Sequence, residues 1–207
     1  MQDNHTLLTS MIEKGVLYSP EIIEAFSKID RKYFVPQTLY EYRYIDRPLP
    51  IGKDQTISQP STVAFMPEQL QPKRGDSILD IGSGSGWTTA LLCHIVGEEG
   101  SVLGLERVDE LVRQGQENLT KLHSGKHCRI EKAGTQLGKP GEKFDRILVS
   151  ASAEEIPEEL FTQLKTGGIL VVPVKNSIFR FEKISDEKIK AEEFPGFVFV
   201  PLIKESS

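Results

Sequence analysis

A short apolar stretch, Ser77–Ile81, leads directly into a glycine-rich segment that ends at Gly86. An apolar helix is predicted directly after it, over Trp87–Val96, and Gly97 ends that helix. Glycines let the backbone adopt positive φ values and let a ligand approach the main chain closely. The helix N-terminus adds unpaired N–H groups and a positive potential. A strand, a glycine turn and a helix in this order therefore predict a ligand-binding βα unit.

The chain after residue 55 alternates between strand-like and helix-like patterns. Further strands are predicted over Ser101–Glu106, Cys128–Lys132, Phe144–Ala151 and Ile169–Val174, and helices over Ser61–Leu70, Val108–His123 and Ile156–Leu164. This alternation indicates right-handed βαβ units in a mostly parallel sheet with helices on both faces. Two final strand-like runs, Ile178–Ile184 and Phe197–Leu202, predict an antiparallel pair that closes one edge, with the acidic run from Asp186 to Glu193 as solvated surface. The fold class is α/β and Rossmann-like.

The first 50 residues have a different pattern, which is helical and then irregular and rich in aromatic residues. Ser19 before Pro20 predicts a helix start at which the Ser19 side chain acts as the cap. We predict a helical and irregular N-terminal extension over residues 1–54 that packs on the core. A single compact domain then covers residues 55–207.

Composition excludes several classes of protein. The net charge of −5 argues against nucleic acid as the main partner, because phosphate binding usually requires a basic face. No window approaches about 18 consecutive apolar residues, and the N-terminus has no secretory pattern, so neither a membrane span nor export is expected. The expectation is a cytoplasmic protein without a membrane or nucleic-acid partner, and a monomer.

Cysteine and histidine spacing predicts no metal site. Cys93 and Cys128 lie in a predicted helix and a predicted strand, and we interpret both as reduced core residues, with a disulfide as the alternative. His123 and His127 have helical spacing, but Ser124-Gly125 between them breaks the helix.

The spacing of the glycines indicates which ligand the turn binds. Dinucleotide sites use G-x-G-x-x-G, whereas Gly82, Gly84 and Gly86 form G-x-G-x-G. Asp80 places a carboxylate before the turn, where it would repel a pyrophosphate but attract an ammonium group. Glu106, at the end of the second strand, can accept both hydroxyls of a ribose. Together these features favour S-adenosylmethionine over NAD, while either ligand would suit Glu106 alone.

Six further segments carry a resemblance to a known family. They are Leu49-Pro50-Ile51-Gly52, Gln55-Thr56-Ile57-Ser58-Gln59-Pro60, the turn from Asp80 to Trp87, Phe144-Asp145-Arg146-Ile147-Leu148-Val149-Ser150, Gln163-Leu164-Lys165-Thr166-Gly167-Gly168 and Phe199-Val200-Pro201-Leu202. In this order they resemble the protein-L-isoaspartate (D-aspartate) O-methyltransferases, from about Ala25 to Leu202. The resemblance implies a class I methyltransferase fold. It also implies methylation, by S-adenosylmethionine, of the free α-carboxylate of L-isoaspartyl and D-aspartyl residues in damaged proteins. The methyl ester then closes to a succinimide, which begins repair.

The resemblance also implies site residues. Ser58 is the catalytic residue, in the sense of a hydroxyl that positions the substrate carboxylate, and the substrate-binding residues are Thr56, Ile57, Ser58, Val200 and Pro201. The donor-binding residues are Asp80, Gly82, Ser83, Gly84, Gly86, Glu106, Gly134 and Thr135. Two positions depart from the family pattern. Its Gly-Asp-Gly is Ala133-Gly134-Thr135 here, and its Pro-Val-Gly is Pro173-Val174-Lys175.

The implied chemistry explains why no acid–base pair is visible. A carboxylate with a pKa of about 4 is ionised at neutral pH and needs no general base to attack a methyl group. Two other hypotheses stay open on the sequence alone. One is a methyltransferase for another peptide carboxylate, and the other is a catalytically silent module that binds isoaspartyl groups or serves as an adaptor.

Overall fold

The computed structural model describes residues 3–122 and 125–203. Its helices are α1 (Asn4–Glu13), α2 (Pro20–Lys28), α3 (Pro60–Leu70), α4 (Trp87–Val96) and α5 (Asp109–Lys121). Its strands are β1 (Leu49–Gly52), β2 (Gln55–Ile57), β3 (Ser77–Ile81), β4 (Ser101–Glu106), β5 (Cys128–Lys132), β6 (Phe144–Val149), β7 (Leu164–Val174), β8 (Ser177–Ser185) and β9 (Lys188–Pro195). Short 3₁₀ helices cover Arg31–Tyr33, Gln37–Tyr42 and Glu158–Gln163. His123 lies outside the described residues.

Seven strands form one sheet in the order β5-β4-β3-β6-β7-β8-β9. The first five strands in this order are parallel, and β8 and β9 are antiparallel to their neighbours. This arrangement confirms the α/β fold with an antiparallel end. The direction in which strands are added reverses between β3 and β6, and the carboxyl end of a parallel sheet binds ligands at such a point.

Helices cover both faces of the sheet. On one face, α1 and α2 pack with α4 and α5, and this layer includes Met11, Phe26 and Trp87. On the other face, α3 packs over β6 and β7. The hairpin of β1 and β2 spans residue 54, where the sequence predicted a domain boundary, and the division into 1–54 and 55–207 stays a prediction. None of the helices in the described ranges is long and apolar enough to cross a membrane.

The predicted final strand over Phe197–Leu202 is wrong. The partner of β8 is β9, which overlaps the acidic run Asp186–Glu193 that was predicted to be solvated surface. Charged side chains suit an edge strand, because they discourage pairing with another chain, so their presence did not exclude a strand. Residues 197–202 instead cross the carboxyl end of the sheet. There the Val200 carbonyl accepts the Ser152 N–H at 2.8 Å, and Leu202 N–H donates to the Ser152 carbonyl at 2.7 Å.

The predicted helix over Ile156–Leu164 is reduced to the 3₁₀ helix Glu158–Gln163, which follows directly on Pro157. Strand β7 begins at Leu164, and the buried Lys183 ammonium donates to the carbonyls of Phe161 and Leu164 at 2.9 and 3.2 Å. Gly167-Gly168 lies inside β7 rather than before it. The register steps from Phe144↔Leu164 to Arg146↔Ile169, so the residues around the two glycines bulge out of the ladder.

Two local predictions are also wrong. The Ser19 side chain makes no cap to α2 and instead donates to the buried Glu68 carboxylate at 2.6 Å. That carboxylate also accepts the N–H groups of Tyr18 and Ser19, both at 2.8 Å, so the glutamate of α3 satisfies the donors at the start of α2. Cys93 and Cys128, predicted to be reduced, form a disulfide, because α4 packs across β4 and β5 and brings their Cα atoms to 6.0 Å.

Candidate functional site

The glycine turn lies at the reversal point of the sheet, between the carboxyl ends of β3, β4 and β6. Gly82, Gly84 and Gly86 all have positive φ, at 83°, 54° and 89°. At Gly86 a Cβ atom would also lie 3.0 Å from Ile130 Cδ1 and 3.3 Å from the Gly115 backbone. This position therefore requires glycine for both its backbone conformation and the close packing of α5. The turn leads directly into the N-terminus of α4.

Glu106 fixes the shape of the turn from the next strand. Its Oε2 accepts the Gly84 N–H at 3.0 Å, and its Oε1 accepts the Val108 N–H at 2.9 Å. The side chain is buried, yet it lines a cavity at the carboxyl end of the sheet. Each carboxylate oxygen has two lone pairs, so acceptor capacity remains for hydroxyl groups in that cavity.

Asp80 lies beneath the turn and is fully buried. The pKa of its carboxyl is raised to about 6, chiefly because the group is buried. The Thr89 hydroxyl lowers this pKa, the nearby Glu106 charge raises it, and the Ser150 hydroxyl lowers it. The Thr89 hydroxyl donates to Oδ2 at 2.6 Å, and Oδ1 has no partner among the described residues. A buried carboxylate with a free acceptor is electrostatically suited to a nearby cationic group.

This cavity lies above the ends of β3 and β4. One wall carries Glu106 and the segment after β5, and the other is formed by the crossing C-terminal segment. The lining residues are Gln55, Ile81, Gly82, Leu105, Glu106, Arg107, Ala133, Gly134, Thr135, Gln136, Leu137, Gly138, Ala151, Pro201, Leu202 and Ile203. Gly134 and Thr135 are exposed at its rim, and a Cβ atom at Gly134 would meet nothing within 4 Å. We call this space the donor cavity.

Two further cavities continue from the donor cavity toward the β1–β2 hairpin. The second shares Gly82 with the donor cavity and is lined by Thr56, Ile57, Ser58, Val63, Gly82, Ser83, Gly84, Ser85, Trp87, Thr88 and Ser150. The third shares Thr56, Ser58 and Ser150 with the second and adds Pro48, Gln59, Thr62, Val198, Phe199 and Val200. Val198 is 87% exposed, so the third cavity opens to solvent beside an apolar side chain. We call the third cavity the acceptor groove.

Ser58 stands where the second cavity meets the acceptor groove. Its half-buried hydroxyl has no hydrogen-bond partner among the described residues, and no histidine or carboxylate there is bonded to it as a base. A free hydroxyl without a base can donate to a bound anion, but it is not activated as a nucleophile.

Arg31 holds the backbone behind Ser58 and is not among the site residues predicted from the sequence. Its guanidinium is completely buried and donates to four carbonyl groups. These are Arg43 at 2.9 Å, Ile45 at 3.2 Å, Arg47 at 3.0 Å and Ser58 at 3.2 Å. Burial lowers the pKa of Arg31 to about 10, although Asp46 raises it, so the group stays charged at neutral pH. Nothing in the sequence separates a buried arginine from a solvated one, because the four acceptors lie 12 to 27 residues away.

The predicted site residues occupy four places: the donor cavity, the second cavity, the acceptor groove and the region behind the turn. Gly82, Glu106, Gly134 and Thr135 line the donor cavity, while Ser83 and Gly84 line the second cavity. Thr56, Ser58 and Val200 meet at the acceptor groove, and Ile57 lines the second cavity. Pro201 lines the donor cavity instead of the groove that holds Val200, and Asp80 and Gly86 support the turn from behind without lining these three cavities.

The polar groups of this site fit S-adenosylmethionine. The buried atoms Asp80 Oδ1 and Ser83 Oγ have no partner among the described residues, and Glu106 has acceptor capacity toward the cavity. An amino-acid ammonium, a sulfonium and two ribose hydroxyls match this set of acceptors. A pyrophosphate does not match it, because two buried carboxylates would repel it.

The sheet order, the glycine turn at its reversal point and the acidic side chain ending the second strand define a class I methyltransferase. Residues 1–207 match the family "Protein-L-isoaspartate(D-aspartate) O-methyltransferase". The chain belongs to this family, and it is a carboxyl methyltransferase that uses S-adenosylmethionine to methylate L-isoaspartyl residues.

Individual relatives agree over most of the chain. It is 42% identical to the protein-L-isoaspartate O-methyltransferase of Fervidobacterium nodosum, over 89% of this chain and 94% of the relative. It is 37% identical to the enzyme of the same name from Ignicoccus hospitalis, over 96% of each. A solved structure from Plasmodium falciparum superimposes with a TM-score of 0.89 at 26% identity, covering 99% of this chain and 100% of that one. That structure is described as a putative protein-L-isoaspartate O-methyltransferase in complex with S-adenosyl-L-homocysteine.

Proposed function

We propose that the methyl transfer takes place where the second cavity joins the acceptor groove, with the isoaspartyl carboxylate beside Ser58. The observation that carries this proposal is the position of the Ser58 hydroxyl, which is free and borders both cavities. Such a hydroxyl can donate to one carboxylate oxygen and leave the other free to attack. Placement of two reactants at near-contact distance supplies most of the rate when the nucleophile is already ionised.

The donor side is proposed to bind through the residues named from the sequence. Glu106 would accept the ribose hydroxyls, and Gly134 and Thr135 would border the adenine. Asp80, Ser83 and the glycines would hold the amino-acid end. S-adenosylmethionine, when bound, supplies an activated methyl group on a good leaving group. The complex of the Plasmodium falciparum structure with S-adenosyl-L-homocysteine supports this assignment.

The acceptor side is proposed to bind an extended peptide around the isoaspartyl residue. Thr56 and Val200 line the groove together with Ser58, and the exposed Val198 borders it as well. Arg31 is the positioning residue of this side, because it holds the Ser58 carbonyl and three carbonyls of the preceding loop in one network. Pro201 is proposed to contribute through the segment that separates the groove from the donor cavity.

The substrates, the cellular location, the oligomeric state and the lack of other partners are also proposals. Damaged intracellular proteins and peptides are the proposed substrates of a cytoplasmic monomer that binds neither nucleic acid nor membrane. The acidic net charge of −5 supports the lack of a nucleic-acid partner. D-aspartyl residues are proposed as second substrates, since the family's name includes them.

The test is a transfer assay with labelled methyl donor and paired peptides that contain isoaspartate or normal aspartate at one position. We expect label only in the isoaspartyl peptide. Ser58→Ala should lower kcat/KM for that peptide by about 10-fold to 100-fold, because a hydrogen bond to a charged group is lost. Its affinity for S-adenosylhomocysteine, measured by calorimetry, should not change.

Ser61→Ala is the matched control, since Ser61 lies three residues further along the same segment and lines neither cavity. Equal activity of Ser58→Ala and wild type would remove Ser58 from the proposed site. Label in both peptides would point to another peptide carboxylate as the substrate. Peptide binding without any transfer would indicate a silent binding module.

A further inference from the structure

A second cluster of reactive side chains lies at the opposite end of the parallel strands from the methyl-transfer site. Cys93 is in the last turns of α4, Cys128 is the first residue of β5, and His127 precedes it. Each contributes one ligand atom, and the three atoms lie within 4.8 Å of one another. Cys128 pairs with Val102 near the start of β4, whereas the glycine turn follows the other end of β3. The methyl-transfer chemistry uses none of these three residues.

The imidazole of His127 is already placed toward the sulfur atoms. Its Nε2 lies 3.7 Å from Cys93 Sγ. The His127 carbonyl accepts the Val102 N–H at 3.0 Å, which anchors the backbone to the sheet. The ring rests against Gly125, where a Cβ atom would come within 2.7 Å of Nδ1. Both cysteines are buried and His127 is half-buried, so one side of the cluster is open to solvent.

These distances fit tetrahedral coordination of zinc. Bond lengths of about 2.3 Å to sulfur and about 2.0 Å to nitrogen place a thiolate and an imidazole on one tetrahedral ion about 3.6 Å apart. The observed separation of Cys93 Sγ and His127 Nε2 is 3.7 Å. Two thiolates on such an ion lie about 3.8 Å apart. The two sulfur atoms, bonded here, therefore need only to separate by a side-chain rotation.

We propose that the reduced form of this cluster binds one thiophilic divalent cation of the zinc class through Cys93, Cys128 and His127, with water as the fourth ligand. A dithiol reductant first cleaves the disulfide, giving two Cys thiols and the oxidised, disulfide form of the reductant. The cation then displaces one proton from each thiol and takes neutral imidazole Nε2 as its third ligand. The disulfide and the ion are mutually exclusive links between α4 and β5, and either one joins the helix to that strand.

The test uses Co²⁺ as a spectroscopic probe on the full chain, reduced and kept free of oxygen. We expect saturable binding of one Co²⁺ per chain, with a thiolate-to-cobalt charge-transfer band and the intense visible bands of tetrahedral cobalt. Zn²⁺ should displace the probe stoichiometrically. The oxidised protein should show none of these bands, because bonded sulfur atoms offer no thiolate. Absence of the bands in the reduced protein, or equal bands in the oxidised protein, overturns the proposal.

Single substitutions distinguish the residues that bind the metal ion from residues that do not. Cys93→Ser and Cys128→Ser should each abolish the charge-transfer band or reduce it strongly. His127→Gln should weaken Co²⁺ binding by about tenfold or more, since even groups outside the ligand shell alter metal affinity by that much. His5→Gln, at an exposed histidine in α1, is the matched control. Methyl-transfer activity of each variant reports that the chain is folded. Unchanged binding by folded Cys93→Ser or His127→Gln contradicts the site.

Discussion

The donor cavity and the acceptor groove are built in different ways. The donor cavity lies at the ends of β3 and β4, and its main polar groups come from a continuous turn and the end of the next strand. The acceptor groove is assembled from the β1–β2 hairpin, the start of α3 and the irregular segment 198–200. Its backbone is held by Arg31, from a 3₁₀ helix far away in the sequence. Local sequence is therefore enough to form the donor cavity. The acceptor groove forms only through contacts between segments that are far apart in the chain.

The comparison also separates two kinds of buried charge. Asp80 on the donor side is a buried anion with one unpaired oxygen, which is suited to a ligand. Arg31 on the acceptor side is a buried cation whose two terminal nitrogens donate to four carbonyl groups, so this end of the guanidinium holds the chain. Its Nε has no partner among the described residues. We infer that the donor side retains electrostatic strain until it is occupied, whereas the acceptor side is preorganised.

The largest expected effect concerns the unpaired charge of Asp80. Its folded-state pKa of about 6 lies above the ordinary value of 3.8, so the folded state binds this proton more tightly than the unfolded state. The contribution to stability is fully present below about pH 3.8 and is lost as the pH rises through about 6, by about 3 kcal/mol in total. Asp80→Asn has no such titration. We expect urea unfolding at pH 4 and at pH 8 to show that the free energy of unfolding of Asp80→Asn, relative to that of wild type, rises by about 2 kcal/mol between the two pH values. The rest of the total lies below pH 4, where the unfolded carboxyl is still becoming protonated. A constant difference would contradict the buried charge.

The second effect concerns the planar guanidinium of Arg31, whose N–H groups donate to four carbonyl groups. Arg31→Lys keeps a positive charge but cannot reach four carbonyl groups, so the Ser58 backbone should shift. We expect kcat/KM for the isoaspartyl peptide to fall by about 100-fold, since small misplacements of reacting groups have effects of this size. The affinity for S-adenosylhomocysteine should remain that of wild type. Arg47→Lys, at an exposed side chain in the same network of loops, is the control. A parallel loss of donor affinity would show that the two sides are not independent.

A smaller effect is expected at Gly134, where the family pattern has Asp. The space around a Cβ atom is open and the residue has no positive φ, so a side chain can be added without strain. Gly134→Asp should tighten the binding of S-adenosylhomocysteine by up to about tenfold, through one hydrogen bond to the adenine amine. Calorimetry measures this, with Gly134→Ala as the control for the added carbon. Equal affinities for both variants would mean that this position does not face the adenine.

The smallest effect is expected at Lys175, in the two-residue turn between β7 and β8. Lys175 has a φ of 53°, and glycine is favoured at the first position of such a turn. Lys175→Gly should raise the free energy of unfolding by about 0.5 kcal/mol, since the relief of strain exceeds the added backbone freedom. Asn176→Gly, next to it but without positive φ, should lower stability. The turn also contacts the acceptor side. The Lys175 carbonyl accepts the Ser152 hydroxyl at 3.0 Å, and the Ser152 backbone pairs with Val200 of the acceptor groove.

The strands β3, β4 and β5 and the helix α4 have the bounds that the sequence predicted, because local patterns determine them. These patterns are apolar runs in β3, β4 and α4 and an alternation of apolar and charged residues in β5. The end of the chain was not predictable in this way. The apolar run Phe197–Leu202 has the composition of a strand, but its backbone pairs with Ser152 across the sheet end. The acidic segment of β9 has the composition of a surface loop, yet it completes the ladder beside β8. In both cases partners distant in sequence determined the structure.

The sequence by itself determined the parallel sheet, the glycine turn, the acidic groups around it and, through the pattern of its motifs, the family. These features depend on backbone conformation and spacing within a few residues, so they can be identified without a partner. Only the tertiary structure placed Arg31 behind Ser58, separated Pro201 from Val200, and brought Cys93 to Cys128 beside His127. Each of these depends on burial and on contacts between elements far apart in the chain, for which local composition carries no signal.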